Sequence, residues 1–257
     1  MQSKSEAMLS KNQIKYFRSF HAKKTRDAEK KFIVEGTKVV EELLATSLAI
    51  HSIVATEDWI AQHTIRENIN VFSASEEELH AISVLQHPQQ VWALVEQAQA
   101  HTLFSSQGLV LALDNLQDPG NMGTILRIAD WFGVEQVLCS PHCVELYNPK
   151  VVQASMGAIF RVPVLQGNLL DFFAQCEHSN IFAADLEGEN VYSAVLPANS
   201  ILVMGNEGNG ISEEIRRSVP HKLHIPSFKF GSEQSESLNV AMATAILCSE
   251  FKRITIA

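Results

Sequence analysis

The chain has 257 residues, 46% hydrophobic and 19% charged, the make-up of a globular protein with room for about two domains of roughly 150 residues each. Its net charge of −9 opposes nucleic acid at long range, yet residues 1–40 hold ten Lys/Arg against four Asp/Glu, a local +6 that leaves −15 on the rest. No apolar run reaches the ~18 residues of a membrane span, and Lys4, Lys11, Lys15 and Arg18 lead into no apolar stretch, so the expected location is the cytoplasm.

In chain order, Lys11 to Lys31 reads as one basic amphipathic helix with Ile14, Phe17 and His21 on one side. Phe32 to Val34 reads as a strand, followed by a helix with Thr37 as N-cap carrying Val40, Leu43 and Leu44. His51–Ala55 and Val71-Phe72 are expected strands separated by a helix over Asp58–Glu67. Ser75 to Glu78 spells a capping box opening another helix, and Val91–Val95 closes the series as a strand. Residues 1–97 therefore predict a small α/β domain. Residues 98–108, small and polar without periodicity, predict a linker.

The second domain, 109–257, opens with a continuous apolar strand, Leu109–Leu113, then a helix from about Met122 to Trp131 and a strand Gln136–Cys139. Helices near 149–160 and 169–177 and strands Ile181–Ala184 and Ile201–Met204 continue the alternation. A helix Ser212–Ser218, a strand Leu223–Ile225 and a helix from about Leu238 to Arg253 finish it. Continuous apolar strands between helices predict a mostly parallel sheet covered on both faces. The four cysteines fit neither a disulfide framework nor a paired zinc site; Cys139 and Cys143 read as small buried thiols at a strand end, and no metal is expected.

Three segments at strand ends carry the chemistry, because open parallel sheets bind ligands beyond the carboxyl ends of their strands. The first, Asp114 to Gly123, holds Gly120, Asn121 and Gly123, with Arg127 six residues after Asn121 and expected to project toward the same crevice. Taken singly, Arg127 is an ordinary surface ion-pair partner; in a crevice it grips phosphate or stabilises an oxyanion. The second is Gly205-Asn-Glu-Gly-Asn-Gly210, whose three glycines expose backbone groups to a ligand but match neither the dinucleotide fingerprint nor a Walker A loop. That mismatch disfavours an oxidoreductase. The third runs from Ile225-Pro226 through a loop to Glu236 and Ser237-Leu-Asn-Val240, opening a last helix so apolar that it suits a core or a subunit interface. Ser237 is the expected cap of that helix.

Taken together and in this order, the segments DPGNMGTILR, GNEGNG and IP…ESLNV resemble the SpoU/TrmH family of RNA 2′-O-ribose methyltransferases of the SPOUT class. Upstream, KFIVEGTKVVE is similar to the L30e-like substrate-binding domain that precedes many such enzymes. The loop between Pro226 and Glu236 departs from the family pattern by about four extra residues. The resemblance implies a C-terminal trefoil knot, a homodimer through the C-terminal domain, and S-adenosylmethionine held by Met204, Gly205, Asn206, Gly210, Ile225 and Leu238. It implies structured RNA as substrate, ribosomal ahead of transfer RNA. Its catalytic set would be Arg127 stabilising the developing 2′-alkoxide or accepting its proton through a phosphate relay, Asn121 and Asn239 orienting the hydroxyl and the RNA backbone, and Glu207 and Ser237 holding the loops. The alternative is a catalytically inactive RNA-binding module acting in ribosome assembly.

Overall fold

The computed structural model describes residues 9–98, 104, 107–176, 180–228 and 237–253. They divide into two compact units, one made of the described residues before position 100 with Leu146–Phe160, the other of those in 100–145 with those from Arg161 onward.

The first unit runs α1 (Lys11–Ser19), α2 (Lys23–Glu29), β1 (Lys31–Glu35), α3 (Thr37–Leu44), β2 (Ile50–Ala55), α4 (Glu57–Gln62), β3 (Asn70–Ser73), α5 (Glu76–Ile82) and β4 (Val91–Glu96). Its sheet has the order β1-β4-β2-β3, with β3 parallel to β2 and β4 antiparallel to both β1 and β2. Side chains alternate across a strand, so each strand serves two cores. Phe32, Val34, Val91, Ala93 and Val95 pack with Val40, Leu43 and Trp59, while Ile33, Trp92 and Leu94 pack with Phe17, Phe20, Leu79 and Ile82.

The single basic helix expected over Lys11–Lys31 is two helices. After Ser19 the backbone tightens into three-residue turns, with Phe20 N–H bonding Phe17 O, His21 N–H bonding Arg18 O and Ala22 N–H bonding Ser19 O. The buried Arg26 guanidinium then donates to the carbonyls of Phe20 and His21, at 2.7 and 2.8 Å, satisfying the acceptors that a continuous helix would have paired. Thr37 is the first helical residue of α3 rather than its cap: Gly36 occupies the cap at φ 100°, and Gln89 Oε1 accepts from Thr37 N–H at 2.8 Å. Helix α4 stops at Gln62, short of the expected Glu67, where the His63 ring nitrogen bonds the Trp59 carbonyl at 2.7 Å in place of the next helical N–H. The Ser75 and Glu78 capping box forms as expected.

The second half of the chain runs β5 (Leu109–Leu113), α6 (Pro119–Trp131), β6 (Gln136–Cys139), α7 (Pro149–Ser155), β7 (Val164–Gln166), α8 (Leu169–Phe173), β8 (Ile181–Asn190), β9 (Ser200–Met204), α9 (Glu213–Ser218), β10 (His221–His224) and α10 (Val240–Arg253). Helix α7 and the 3-10 turn Ala158–Phe160 belong to the first unit, where Val152 joins the core around Phe32 and the Tyr147 ring lies 4.5 Å from that of Phe32. The other strands form one fully parallel sheet, ordered β10-β8-β9-β5-β6-β7. Val110, Ala112, Ile201 and Val203 face Leu169, Phe173 and Ile215 of α8 and α9, which leaves Leu109, Leu111 and Leu113 to the opposite face. Helices α6 and α10 pack on each other, burying Met122, Ile125, Leu126, Leu247 and Phe251. Strand β7, three residues long, is too short to carry a periodic signal and was not expected.

Strand order reverses between β5 and β9: connections from β5 lead to β6 and β7, while β8, β9 and β10 fill the other side. Such a switch point opens a crevice at the carboxyl ends of the strands, because the connections leave it in opposite directions.

Candidate active site

The crevice between the ends of β5 and β9 is closed by hydrogen bonds between the loops that leave them. Buried Asp114 accepts from Ser212 N–H through Oδ2 at 2.7 Å, and Asn206 Nδ2 donates to the Asn115 carbonyl at 2.8 Å. Asn115 adopts a left-handed conformation, φ 54°, from which its own N–H reaches Ser140 Oγ at 2.9 Å. Cys143 packs beneath, its Sγ donating to the Leu113 carbonyl at 3.2 Å, and both Cys139 and Cys143 are buried as expected. The hydrogen bond from Cys139 pulls the Cys143 thiol down to about 7, outweighing its burial.

The glycine loop folds back on itself, with Asn206 N–H bonding Gly210 O at 2.8 Å and Gly210 N–H bonding Asn206 O at 2.9 Å. A Cβ on Gly205 would stand 2.3 Å from the Gly210 carbonyl carbon, so the fold-back admits no side chain there. Within the loop, Asn206 Oδ1 also accepts from the N–H groups of Gly208 and Asn209, at 2.9 and 3.1 Å.

The segment read as a turn up to Gly123 is already helical from Pro119. Asp118 caps α6, its Oδ1 accepting from Asn121 N–H at 2.7 Å, and proline at the first helical position supplies a preset φ. Asn121 therefore stands in the first turn of a 13-residue helix, where the macrodipole favours an anion such as the Glu207 carboxylate. Its Nδ2 donates to Glu207 Oε1 at 2.9 Å, and its Oδ1 accepts from Asn239 Nδ2 at 3.0 Å. Asn239 Oδ1 accepts in turn from Ala241 and Met242 N–H, at 2.9 and 3.3 Å. Asn239, not the expected Ser237, thus bonds the free N–H groups at the start of α10. One line of hydrogen bonds, Glu207 to Asn121 to Asn239, ties together segments 86 and 118 residues apart.

Arg127 is placed differently. It lies six residues beyond Asn121 on α6, roughly 9 Å along the axis and about 120° round the helix. Its side chain is exposed and forms no hydrogen bond or ion pair with any described residue, so the plain surface ion-pair reading finds no partner there. It shares a stripe with Trp131, which is 85% exposed, and α10, packed beside α6, exposes Met242 at 63%.

Among the residues expected to hold a cofactor, Met204 ends β9, Ile225 follows β10, and Leu238 precedes α10 and is half exposed. The closely folded Gly205 loop and the uncovered Leu238 side chain at the carboxyl edge of a parallel sheet fit a nucleoside cofactor lying over backbone and apolar surface. Ser237 lies just before α10, whereas the long loop up to Glu236 falls mainly outside the described residues. Among the described residues no group of three or more His, Cys, Asp or Glu converges as a metal site would require, and no helix is long and apolar enough to cross a membrane. Sequence reasoning placed Asp114 and Asn115 in the first segment without giving either a role, and missed Ser140; all three shape the crevice floor. An Asp-Asn pair directly after a buried strand was the available signal, since Asn tolerates the left-handed conformation a sharp turn needs.

On the first unit, α1 presents Lys11, Lys15 and Arg18 at the i, i+4, i+7 spacing of one helix face. All three side chains are exposed and none pairs with a described residue.

A parallel sheet with a switch-point crevice, and three separated motifs meeting in it, define the class of RNA methyltransferases that the sequence resembles. The SpoU rRNA Methylase family model matches residues 108–249 and the MRM3-like substrate binding domain model matches 11–93, and the chain belongs to the SpoU rRNA methylase family. It is 29% identical over 241 residues, 92% of this chain and 95% of the relative, to the Bacillus subtilis 23S rRNA (guanosine(2553)-2'-O)-methyltransferase RlmP. It is 30% identical to the Neisseria meningitidis 23S rRNA (guanosine-2'-O-)-methyltransferase RlmB, over 76% of this chain and 80% of that one. A TrmH-family structure from Porphyromonas gingivalis superposes with a TM-score of 0.87 at 40% identity, covering 96% of this chain and all of that one. The AdoMet-bound rRNA methyltransferase of Sinorhizobium meliloti superposes at 0.84 with 27% identity, over 97% of this chain and 98% of that one. These relatives are named as methyltransferases, and the inactive-module alternative finds no support among them.

Proposed function

We propose that this chain methylates a ribose 2′-hydroxyl of ribosomal RNA, with residues 1–97 as an L30e-like RNA-binding domain and 109–257 as the S-adenosylmethionine-dependent methyltransferase domain. The observation that carries this reading is the line Glu207–Asn121–Asn239, which draws the three motif segments into one polar site. When bound, S-adenosylmethionine supplies a methyl group on a sulfonium that is already a good leaving group, so the protein's task is placement and activation of the hydroxyl. Met204, Gly205, Asn206, Gly210, Ile225 and Leu238 hold it over the loops after β9 and β10.

The Asn121 amide is fixed in one orientation, its oxygen toward Asn239 and its nitrogen toward Glu207. This leaves the second Glu207 oxygen to accept a hydrogen bond from the ribose hydroxyl, orient it for in-line attack and take up its proton as the methyl group is transferred. Ser237 steadies the loop beside Asn239. Arg127, permanently charged, stabilises the developing alkoxide or the adjoining phosphate. Lys11, Lys15 and Arg18 meet the RNA backbone as point charges. The apolar stripe of Trp131 and Met242 supports a homodimer through α6 and α10, with Arg127 at its margin. The return of the chain from the edge strand β10 to lay α10 on α6 supports the trefoil knot. The site of action is the cytoplasm, on RNA of the assembling ribosome.

The test is transfer of labelled methyl from S-adenosylmethionine to total RNA from cells lacking this protein, followed by nuclease digestion and nucleoside analysis. A 2′-O-methyl nucleoside in large ribosomal RNA is expected, and Arg127→Ala should abolish transfer while leaving cofactor binding intact. Cofactor and RNA binding without transfer would reject the enzymatic reading, and near-normal turnover of the Arg127 variant would remove that residue from the mechanism.

A further inference from the structure

Between the loops that leave β5 and β9 lies a cavity of about 200 Å3, lined by Asn115, Gln117, Asn206, Asn209, Gly210 and Ser212. Four of these residues carry carboxamides and none is ionisable. Two carboxamides hold the loops: Asn206 bonds the Asn115 carbonyl and two N–H groups of its own loop, and Asn115 Oδ1 accepts from the Ser140 hydroxyl at 3.5 Å. The side chains of Gln117 and Asn209 are different. Both residues are exposed, and neither carboxamide has a hydrogen-bond partner among the described residues.

We infer that this cavity receives the base of the nucleotide whose ribose is methylated, and that Gln117 and Asn209 read its edge. The inference rests on the functional reading above and adds a base-recognition site to it. Size is the first argument: about 200 Å3 is below the roughly 300 Å3 at which pockets for whole small molecules begin, so the cavity takes a planar fragment rather than a complete nucleoside cofactor. Charge is the second. The amino-acid end of S-adenosylmethionine carries an ammonium, a carboxylate and a sulfonium, and this lining has no side chain of compensating charge to set against them. A base edge is neutral and alternates donors with acceptors, and a carboxamide answers it with one of each. Position is the third. Asn206 is the chain neighbour of Glu207, so a base seated against Asn206 brings its own ribose toward the Glu207–Asn121 pair. Of the six residues expected on the cofactor, Met204, Gly205, Ile225 and Leu238 do not line the cavity, while Asn206 and Gly210, the two that close the glycine loop on itself, are common to both sites. RNA-modifying proteins commonly read a splayed-out base by hydrogen bonds to its edges, and a pocket beside the reacting ribose is where such reading fixes the target.

Gln117→Ala and Asn209→Ala, singly and together in the full-length protein, test this. Methyl transfer is measured on an in vitro transcript of unmodified large-subunit ribosomal RNA, and on three versions in which the base at the methylated nucleotide is exchanged. Calorimetric titration with S-adenosylmethionine runs alongside. The wild type should prefer its native base by about tenfold or more, and each variant should lose about tenfold in kcat/KM on the native transcript and flatten the preference, as expected for a lost base contact. Cofactor affinity should stay unchanged. A wild type indifferent to the base, or variants that keep the wild-type preference, would overturn the inference while leaving the enzyme reading in place. Weakened cofactor binding would overturn it too, by giving the cavity to the cofactor. A wild type that transfers no methyl to any transcript would bring down the functional reading and this inference together.

Discussion

The outer face of α1 and the crevice at the ends of β5 and β9 are built from opposite materials. Lys11, Lys15 and Arg18 stand exposed on α1 without a partner among the described residues. In the crevice, Asn121, Asn239 and Asn206 are each engaged by hydrogen bonds at 3.0 Å or less. A cationic side chain in water attracts phosphate over a Debye length and from almost any direction. A carboxamide does nothing at range, but once its donor and acceptor are fixed it places a hydroxyl to within a hydrogen bond. In the proposed reading, a chain of net charge −9 meets a polyanion with two devices: the cations of α1 act at range, and carboxamides around the Glu207 carboxylate fix the geometry of the reacting site.

The sharpest way to break that contrast is Asn121→Ala, which removes the middle of the Glu207–Asn121–Asn239 line. Methyl transfer should fall by about 100-fold, the scale of losing one preorganised polar group, while RNA binding and its salt dependence stay as they were. Single-turnover transfer and filter binding on the same preparation would separate the two, and a loss of RNA binding instead would mean that the crevice grips as well as positions. The converse variant, Lys11→Ala with Lys15→Ala and Arg18→Ala, should weaken RNA binding at physiological salt by roughly tenfold and lower the slope of log K against log salt by about 2, with transfer at saturating RNA unchanged. An unaltered slope would dismiss α1 as the gripping face.

The smallest effect concerns stability and sits at the end of β1. Glu35 is buried, and burial raises its carboxyl above the usual range, although the Ser83 hydroxyl and Val84 N–H donate to it and His21 acts in the same lowering sense. Its folded pKa therefore exceeds its unfolded one. The stability it contributes is fully present below the unfolded pKa, is lost as pH rises through the folded pKa, and changes no further above it. Denaturant midpoints followed by tryptophan emission, to which buried Trp59 and Trp92 of the same unit contribute, should decline over that interval in the wild type and lie flat in Glu35→Gln. An equal decline in both proteins would assign it to another group.

Much of the fold was legible because the strands are short, apolar and bounded by turn residues. Leu109–Leu113 needed no context to read as a buried strand, and Ser75 with Glu78 announced a helix start that formed as written. Misreadings came where a side chain from outside the local helical register decided the outcome. Arg26, reaching back to the carbonyls of Phe20 and His21, splits what periodicity alone makes one helix, and Gln89, 52 residues away, provides the N-terminal hydrogen bond of α3. In the site the same division holds. Asn121, Glu207 and Asn239 could be singled out by their motifs, whereas Asn115 and Ser140 acquire their part only from the loop they close.

By itself the sequence determined the alternation of strands and helices, the parallel character of the second sheet and which segments carry chemistry. These depend on side-chain periodicity, backbone permissiveness at glycine and hydrogen-bonding type, all local properties. Only the tertiary structure decided that Leu146–Phe160 packs with the first unit, that Asn239 rather than Ser237 serves the start of α10, and that Asn121 is held between Glu207 and Asn239. Each of these is a choice among partners far apart in the chain. Sequence spacing records which hydrogen-bonding groups exist; which of them meet is set by the order in which strands enter the sheet.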